Sequence, residues 1–342
     1  MPRIRTLAAL LLCGIPATAH AEPPAKPSTT DTKHGDQLIS RYLQAATKQQ
    51  ATPAVPATRE AWQKQRDGWR TQLKQHCFGA WPDESLPLDA KVVFDAEQGS
   101  MALRAIDFTS QGPFRLRLYI AHYPGLEDPD LIVLNPLTEE GWVDFLATMR
   151  PGFEAELKGL TLPPADEKAF KQTQGMFRSF KWAMAYFAPC GIGPTAWDPS
   201  EARQKERQQQ FQLLGQTVDS MRVWDVRRAI QALRSKGGMK TVPLWLQAGG
   251  QMSGVTLYAS LWEPKITRLD LYDLAGSHRD GPFFLNIHRI LDTPQAVAMA
   301  SERTQVLIYQ EENRHWDYPL AVAKKLDWEQ NLRLLKPPSE DP

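Results

Sequence analysis

The sequence is short of several things that would each announce a function. It has almost no net charge, because 40 lysines and arginines stand against 39 aspartates and glutamates and leave +1. So balanced a chain has no basic field for nucleic acid or an anionic membrane, and neither partner is expected. The seven histidines (His20, His34, His76, His122, His278, His288 and His315) are scattered, with no H-x-x-x-H spacing and no C-x-x-C beside them. Without ligands at metal spacing, neither a metal site nor another cofactor is expected. The apolar run Leu7 to Ile15 falls well short of the ~20 residues that cross a bilayer. No internal repeat is visible. Cysteine is limited to Cys13, Cys77 and Cys190, too few for a disulfide scaffold.

What is present begins with an export signal. Arg3 and Arg5 make a basic start, Leu7 to Ile15 the apolar stretch, and Ala19-His20-Ala21 a small-residue cleavage site, so cleavage after Ala21 is expected, with a periplasmic or extracellular destination. Cys13 follows Leu12 rather than a small residue, which argues against lipidation. Cleavage leaves Cys77 and Cys190, and in an oxidising compartment these either pair or stay as two separate buried thiols; sequence leaves both open. Residues 22–58 read as a Pro/Ala-rich linker interrupted by a short helix around Gly35 to Lys48, and residues 59–342 as one domain, long enough for a large core.

Within that domain the apolar pattern changes period repeatedly. A helix is expected from Thr58 to Gln75, with Trp62, Trp69 and Leu73 at helical spacing. Alternating strands follow at Lys91 to Phe94, Ala102 to Phe108 and Arg115 to Ala121, an antiparallel entry to a sheet. Leu131 to Leu134 and Trp182 to Phe187 have the continuous apolar character of buried parallel strands, separated by a polar stretch and a helix from Glu167 to Phe180. One long helix is expected from Pro199 to Arg234, its Arg/Gln-rich first half a solvated face. Then come a strand at Val242 to Leu246, a helix at Ser253 to Trp262, a strand at Leu269 to Leu274, a helix at Pro294 to Ser301, and strands at Gln305 to Tyr309 and Leu332 to Leu335. Strands alternating with helices imply an α/β fold with a doubly wound, mostly parallel sheet and helices on both faces.

The segment Leu244-Trp245-Leu246-Gln247-Ala248-Gly249-Gly250-Gln251-Met252-Ser253-Gly254 frames a nucleophile elbow, Gly-x-Ser-x-Gly, between Gly250 and Gly254. With Leu131 to Trp142, the turn Ala188 to Gly193 and the Gly215-Gln216-Thr217 segment, it resembles the α/β-hydrolase fold, and within it the secreted acetyl xylan esterase-like hydrolases, from about Glu60 onward. The resemblance implies a serine at the elbow, backbone donors for an oxyanion, an acid after the penultimate strand and a histidine after the last. Met252 stands at the elbow's centre, and a thioether cannot attack a carbonyl. Ser253 is next door. Asn135-Pro136 replaces the family's His-Gly, and Pro136 has no N–H to offer. Glu311 and Glu312 follow the strand ending at Tyr309. Lys336 to Pro342 contain no histidine; the last one is His315.

Two other features compete for a role. His278, in Ser277-His278-Arg279-Asp280-Gly281 after a strand, could orient a ligand or act as a base with Asp273 or Asp280, or could belong to a structural turn. Trp142 and Trp197 lie just past strands and could offer flat faces to sugar rings, or simply pack. The expectation is therefore an esterase-like protein with a degenerate triad that binds a small ester-bearing or polysaccharide ligand. The alternatives are an active esterase using Ser253 with His315 or His278 and Glu311 or Glu312, and a non-catalytic envelope interaction protein.

Overall fold

The computed structural model describes residues 29–48, 53–235, 239–312 and 314–337. The expected export signal of residues 1–21, and residues 22–28 and 49–52 of the expected linker, lie outside them. The chain divides into two units, residues 1–49 and 50–342. In the first, α1 runs Thr29–Lys48 and so begins six residues before the expected start; Leu38, Ile39 and Tyr42 face solvent. No helix among the described residues is long and apolar enough to cross a membrane.

The second unit opens with α2, Arg59–Gln72, whose first turn is capped by the Thr58 hydroxyl accepting from the Ala61 N–H at 3.2 Å. It runs on into a π-helical turn, Leu73–Cys77. Trp62 is fully buried from this helix and meets Trp69 and Trp328, each 6.0 Å away.

Nine strands follow as one sheet: β1 Lys91–Gln98, β2 Met101–Gln111, β3 Phe114–His122, β4 Leu131–Pro136, β5 Trp182–Phe187, β6 Leu244–Gly249, β7 Ile266–Tyr272, β8 Gln305–Tyr309 and β9 Leu332–Leu335. Their spatial order is β1-β2-β3-β5-β4-β6-β7-β8-β9. The first three form an antiparallel meander, β3 is antiparallel to β5, and from β5 to β9 every pair is parallel. The expected mostly parallel α/β sheet with an antiparallel entry is the observed one.

Helices cover it from both sides. After β4 come α3, Glu139–Phe153, and α4, Glu167–Ser179. Phe145 of α3 lies 5.0 Å from Tyr119 and 5.1 Å from Tyr186, which are register partners on one sheet face. On the opposite face Ser110 of β2 hydrogen-bonds Asp225 of α6, Val218–Ser235. This second layer continues through α7, Gln251–Ser260, and α8, Thr293–Ser301, with α9, Asp317–Lys325, beyond. The chain leaves β4 toward one side of the sheet and leaves β6 toward the other, so a crevice opens between the carboxyl ends of these neighbouring strands.

Two expectations are corrected. The long helix is two: α5, Glu201–Leu213, ends before Gly215, whose φ of +71° breaks the helix ahead of α6. The helix α3 was hidden by Pro151 within it. That ring removes the N–H that would bond Ala147, and the Asp166 N–H takes the Ala147 carbonyl instead, at 2.9 Å. Of the two states the sequence left open for the cysteines, the structure has the second: Cys77 and Cys190 are separate buried thiols. Cys190 is tied beneath the sheet, where its N–H donates to Asp225 Oδ2 at 2.9 Å, whereas Cys77 closes the π-helical turn.

Candidate functional site

At the end of β6 the chain reverses sharply. Gly249 is the last residue paired with β7, opposite Tyr272; Gly250 takes φ +52° and ψ −128°, and α7 begins at Gln251. This left-handed φ suits a residue without a Cβ, and the Gly250 N–H is fixed on the Tyr272 carbonyl at 3.0 Å. A Cβ added here would meet nothing within 4 Å, so the turn faces open space.

That turn falls two residues ahead of Met252, which corrects the position read from the sequence. Met252 sits in the first turn of α7 and is 1% exposed, a core side chain. Gly254 does not close an elbow either; a Cβ on it would come within 2.3 Å of Pro282 Cδ, so it serves close packing.

Ser253 is fully buried, and its Oγ lies 2.8 Å from the Ala248 carbonyl and 2.6 Å from the Tyr272 carbonyl. The hydroxyl proton is committed to backbone, and no histidine reaches it. His278 is buried as well. Its Nδ1 donates to the Pro282 carbonyl at 2.6 Å, and its Nε2 accepts from the Tyr258 hydroxyl at 2.7 Å. Neither Asp273 nor Asp280 bonds the ring. Instead Asp292, the cap of α8, receives the His278 N–H at 2.7 Å and the Ser277 hydroxyl at 2.8 Å. Burial pushes the imidazole down to about 4, which keeps it neutral and structural.

The remaining triad candidates are dispersed. His315 is solvent-exposed and rests on Gly276, where a Cβ would be 2.6 Å from its Cδ2. Glu311 and Glu312 are exposed, and Glu312 pairs with Arg314 at 2.8 Å. Ser253, His278, His315 and the two glutamates therefore do not assemble. Asn135 is also structural: its amide donates to the Val133 and Ala185 carbonyls inside the sheet. Trp142 is 5% exposed, stacks on Phe145 at 5.5 Å and borders a separate cavity of about 220 Å³.

Beside the turn after β6 lies a cavity of about 890 Å³, bordered by Gln251 at the start of α7 and Glu139 at the start of α3. It is the crevice between β4 and β6. Trp197 lines it, with Gly191 against its ring; a Cβ on Gly191 would lie 2.7 Å from the indole. The outer wall is α5, none of whose residues is buried. From it Arg207 places Cζ 5.4 Å over the Trp197 ring, and Phe211 adds a second aromatic 6.0 Å from Trp197.

The first turn of α6 contributes two charges. Arg222 donates from Nε to the Cys190 carbonyl at 3.2 Å and stands 3.8 Å from Asp219. Asp219 accepts the Phe283 N–H at 2.7 Å. Burial raises its carboxyl above the usual range, opposed by that N–H and by Arg222. Arg207, Asp219, Arg222 and Gln251 were not singled out in the sequence; the signal available was Arg207 and Phe211, four apart on a helix just after Trp197.

No serine, cysteine or histidine lines this cavity, and its one threonine, Thr217, donates its hydroxyl to the Phe283 carbonyl at 2.7 Å. Among the described residues, no cluster of three or more His, Cys, Asp or Glu is placed to hold a metal. The arrangement can stack, hydrogen-bond and neutralise a ligand; it offers no activated nucleophile.

No protein-family model and no curated protein matches the sequence. Solved structures do match in shape. A Bacteroides fragilis protein assigned as an acetyl xylan esterase superposes with a TM-score of 0.65 at 9% identity, over 82% of this chain and 76% of its own. A glucuronoyl esterase from Solibacter usitatus gives 0.55 at 12% identity, over 82% and 86%. The fold is that of the α/β-hydrolases. A promiscuous CE15 esterase from a marine bacterial metagenome gives 0.54 at 10% identity, over 82% and 88%. The likeness to these esterases lies in the α/β-hydrolase fold.

Proposed function

We propose that this chain is an exported, esterase-derived α/β-hydrolase-fold protein that binds a carbohydrate or other ester-bearing ligand in the cavity beside Gly250, without efficient turnover. One observation carries the reading: the residue at the strand-to-helix turn, where this fold presents its nucleophile, is glycine and has no side chain. The esterase shape of its neighbours supports the ligand class, and the Trp197 face over a cavity of this size supports a sugar ring. The Arg3 to Ala21 signal supports export, with the mature chain starting at Glu22.

The active-esterase alternative through Ser253 is disfavoured by that hydroxyl's two carbonyl partners. The test is direct. Purified protein should neither label with a fluorophosphonate probe nor release acetate from acetylated xylan above a Ser253→Ala control, yet should bind xylo-oligosaccharide in equilibrium dialysis, and lose that binding in Trp197→Ala. Turnover abolished by Ser253→Ala, or no saccharide binding at all, overturns the proposal.

A further inference from the structure

The cavity beside Gly250 is bordered by two carboxylates, Glu139 and Asp219, and two guanidiniums, Arg207 and Arg222. Both carboxylates bordering it are engaged by backbone: Glu139 accepts the Gly193 N–H at 3.2 Å, and Asp219 accepts that of Phe283. The two guanidiniums are not satisfied in the same degree. Each has five N–H donors, of which Arg222 uses Nε on Cys190 and holds Nη1 3.8 Å from Asp219, while Arg207 uses one, at 2.6 Å, on the Asp198 carbonyl. Arg222 is 14% exposed at its side chain, so its remaining donors have the cavity as their outlet.

Its position relative to the aromatic wall is fixed by one turn. The Cys190 carbonyl holds Arg222, while the next residue, Gly191, lies under the Trp197 ring. Both side chains border the same cavity. A sugar ring held against Trp197 shares the cavity with the Arg222 guanidinium. The substituent that uses a guanidinium fork best is a planar carboxylate.

We infer that the cavity selects a sugar carrying a free carboxylate, with Arg222 contacting the carboxylate and Trp197 the ring. The inference rests on the proposed binding function and adds its ligand class: the acid and not the ester. An ester group has lost the charge that Arg222 reads, so a protein built this way retains the de-esterified form.

The test compares three oligosaccharides of equal length by isothermal titration calorimetry: a xylo-oligosaccharide bearing one glucuronic acid, its methyl ester and the unsubstituted chain. Binding of the acid at least tenfold tighter than the ester is expected, with the gap shrinking as salt is raised from 20 to 500 mM. Arg222→Gln should erase the gap while keeping affinity for the neutral chain, and Arg222→Lys should restore part of it. Sodium acetate at the same concentration should not compete, since it has no ring for Trp197. Equal affinity for acid and ester in the wild type overturns the inference even if the variants fail to fold, and leaves the binding function standing. A gap unchanged in folded Arg222→Gln, or competition by acetate equal to that of the acidic sugar, also overturns it. If no oligosaccharide binds, the binding function itself has failed.

Discussion

Tyr258 donates its phenolic proton to Nε2 of His278 across 2.7 Å, inside the layer of helices behind the turn after β6. With Nδ1 already donating to Pro282, both ring nitrogens are used by the neutral imidazole. A second proton would leave the Tyr258 hydroxyl without its acceptor.

Acid should therefore destabilise the protein through this one group. Its pKa lies at about 4 in the fold against 6.5 ordinarily. Between those values the unfolded chain binds the proton and the folded chain does not, so stability falls as pH drops from 6.5 to about 4, and no further below. The loss attributable to His278 is about 3 kcal/mol. Asp219, Asp225 and Glu263, whose carboxyls burial raises, act in the opposite sense. The measurement is thus a difference: urea midpoints of wild type and His278→Gln from pH 7.5 to 3.5, with the variant losing less over the window.

Gly250→Ser should fold and stay inactive. Its side chain enters open space, and the left-handed φ costs about 1–3 kcal/mol for a non-glycine residue. With no histidine bordering the cavity, the new hydroxyl has no base to activate it. Fluorophosphonate labelling and thermal melting of the variant check both halves; labelling at position 250 would reveal a base brought in from elsewhere.

Gly191→Ala should weaken ligand binding more than it disturbs the fold. The residue has φ +81°, and an added methyl would press 2.7 Å from the Trp197 ring. About 1–3 kcal/mol of stability should go, while the displaced indole lowers affinity for xylo-oligosaccharide at least tenfold. Calorimetry and a denaturant melt on the same preparation separate the two effects.

The thiols of Cys77 and Cys190 should be silent until the protein unfolds. Cys77 and Cys190 are buried, at 1% and 0% exposure, and burial pushes the Cys77 thiol up to about 12 and raises that of Cys190 as well. Titration with a chromogenic disulfide should give no reaction in buffer and two thiols per chain in guanidinium without reductant. No thiol under the second condition would mean a bridge.

How much was legible follows from which features are local. The strand Leu131–Pro136 announces itself as an apolar run, because a strand buried on both faces has no polar side to show. The turn after β6 was misplaced by two residues. Both Gly249-Gly250 and Gly250 to Gly254 fit a glycine frame, and the choice is made by where pairing with β7 ends, at Gly249 opposite Tyr272, a non-local fact. Trp197 stood out by type. Arg222 did not, because its neighbours Val223 and Val226 mark the helix as core-facing and give no hint that the residue beside them borders a cavity.

The turn at Cys190 and Gly191 also says something about adaptability. Its N–H is held by Asp225, which Ser110 of β2 holds in turn, and its carbonyl holds Arg222. The floor of the cavity is thus an extension of the buried polar network of the sheet, already locked before any ligand arrives, so little side-chain freedom remains to be lost there on binding. The opposite wall, α5, buries nothing. Preorganisation belongs to the floor, and a change of ligand length or branching can be accommodated on α5 at every position but Phe211, which packs against the core.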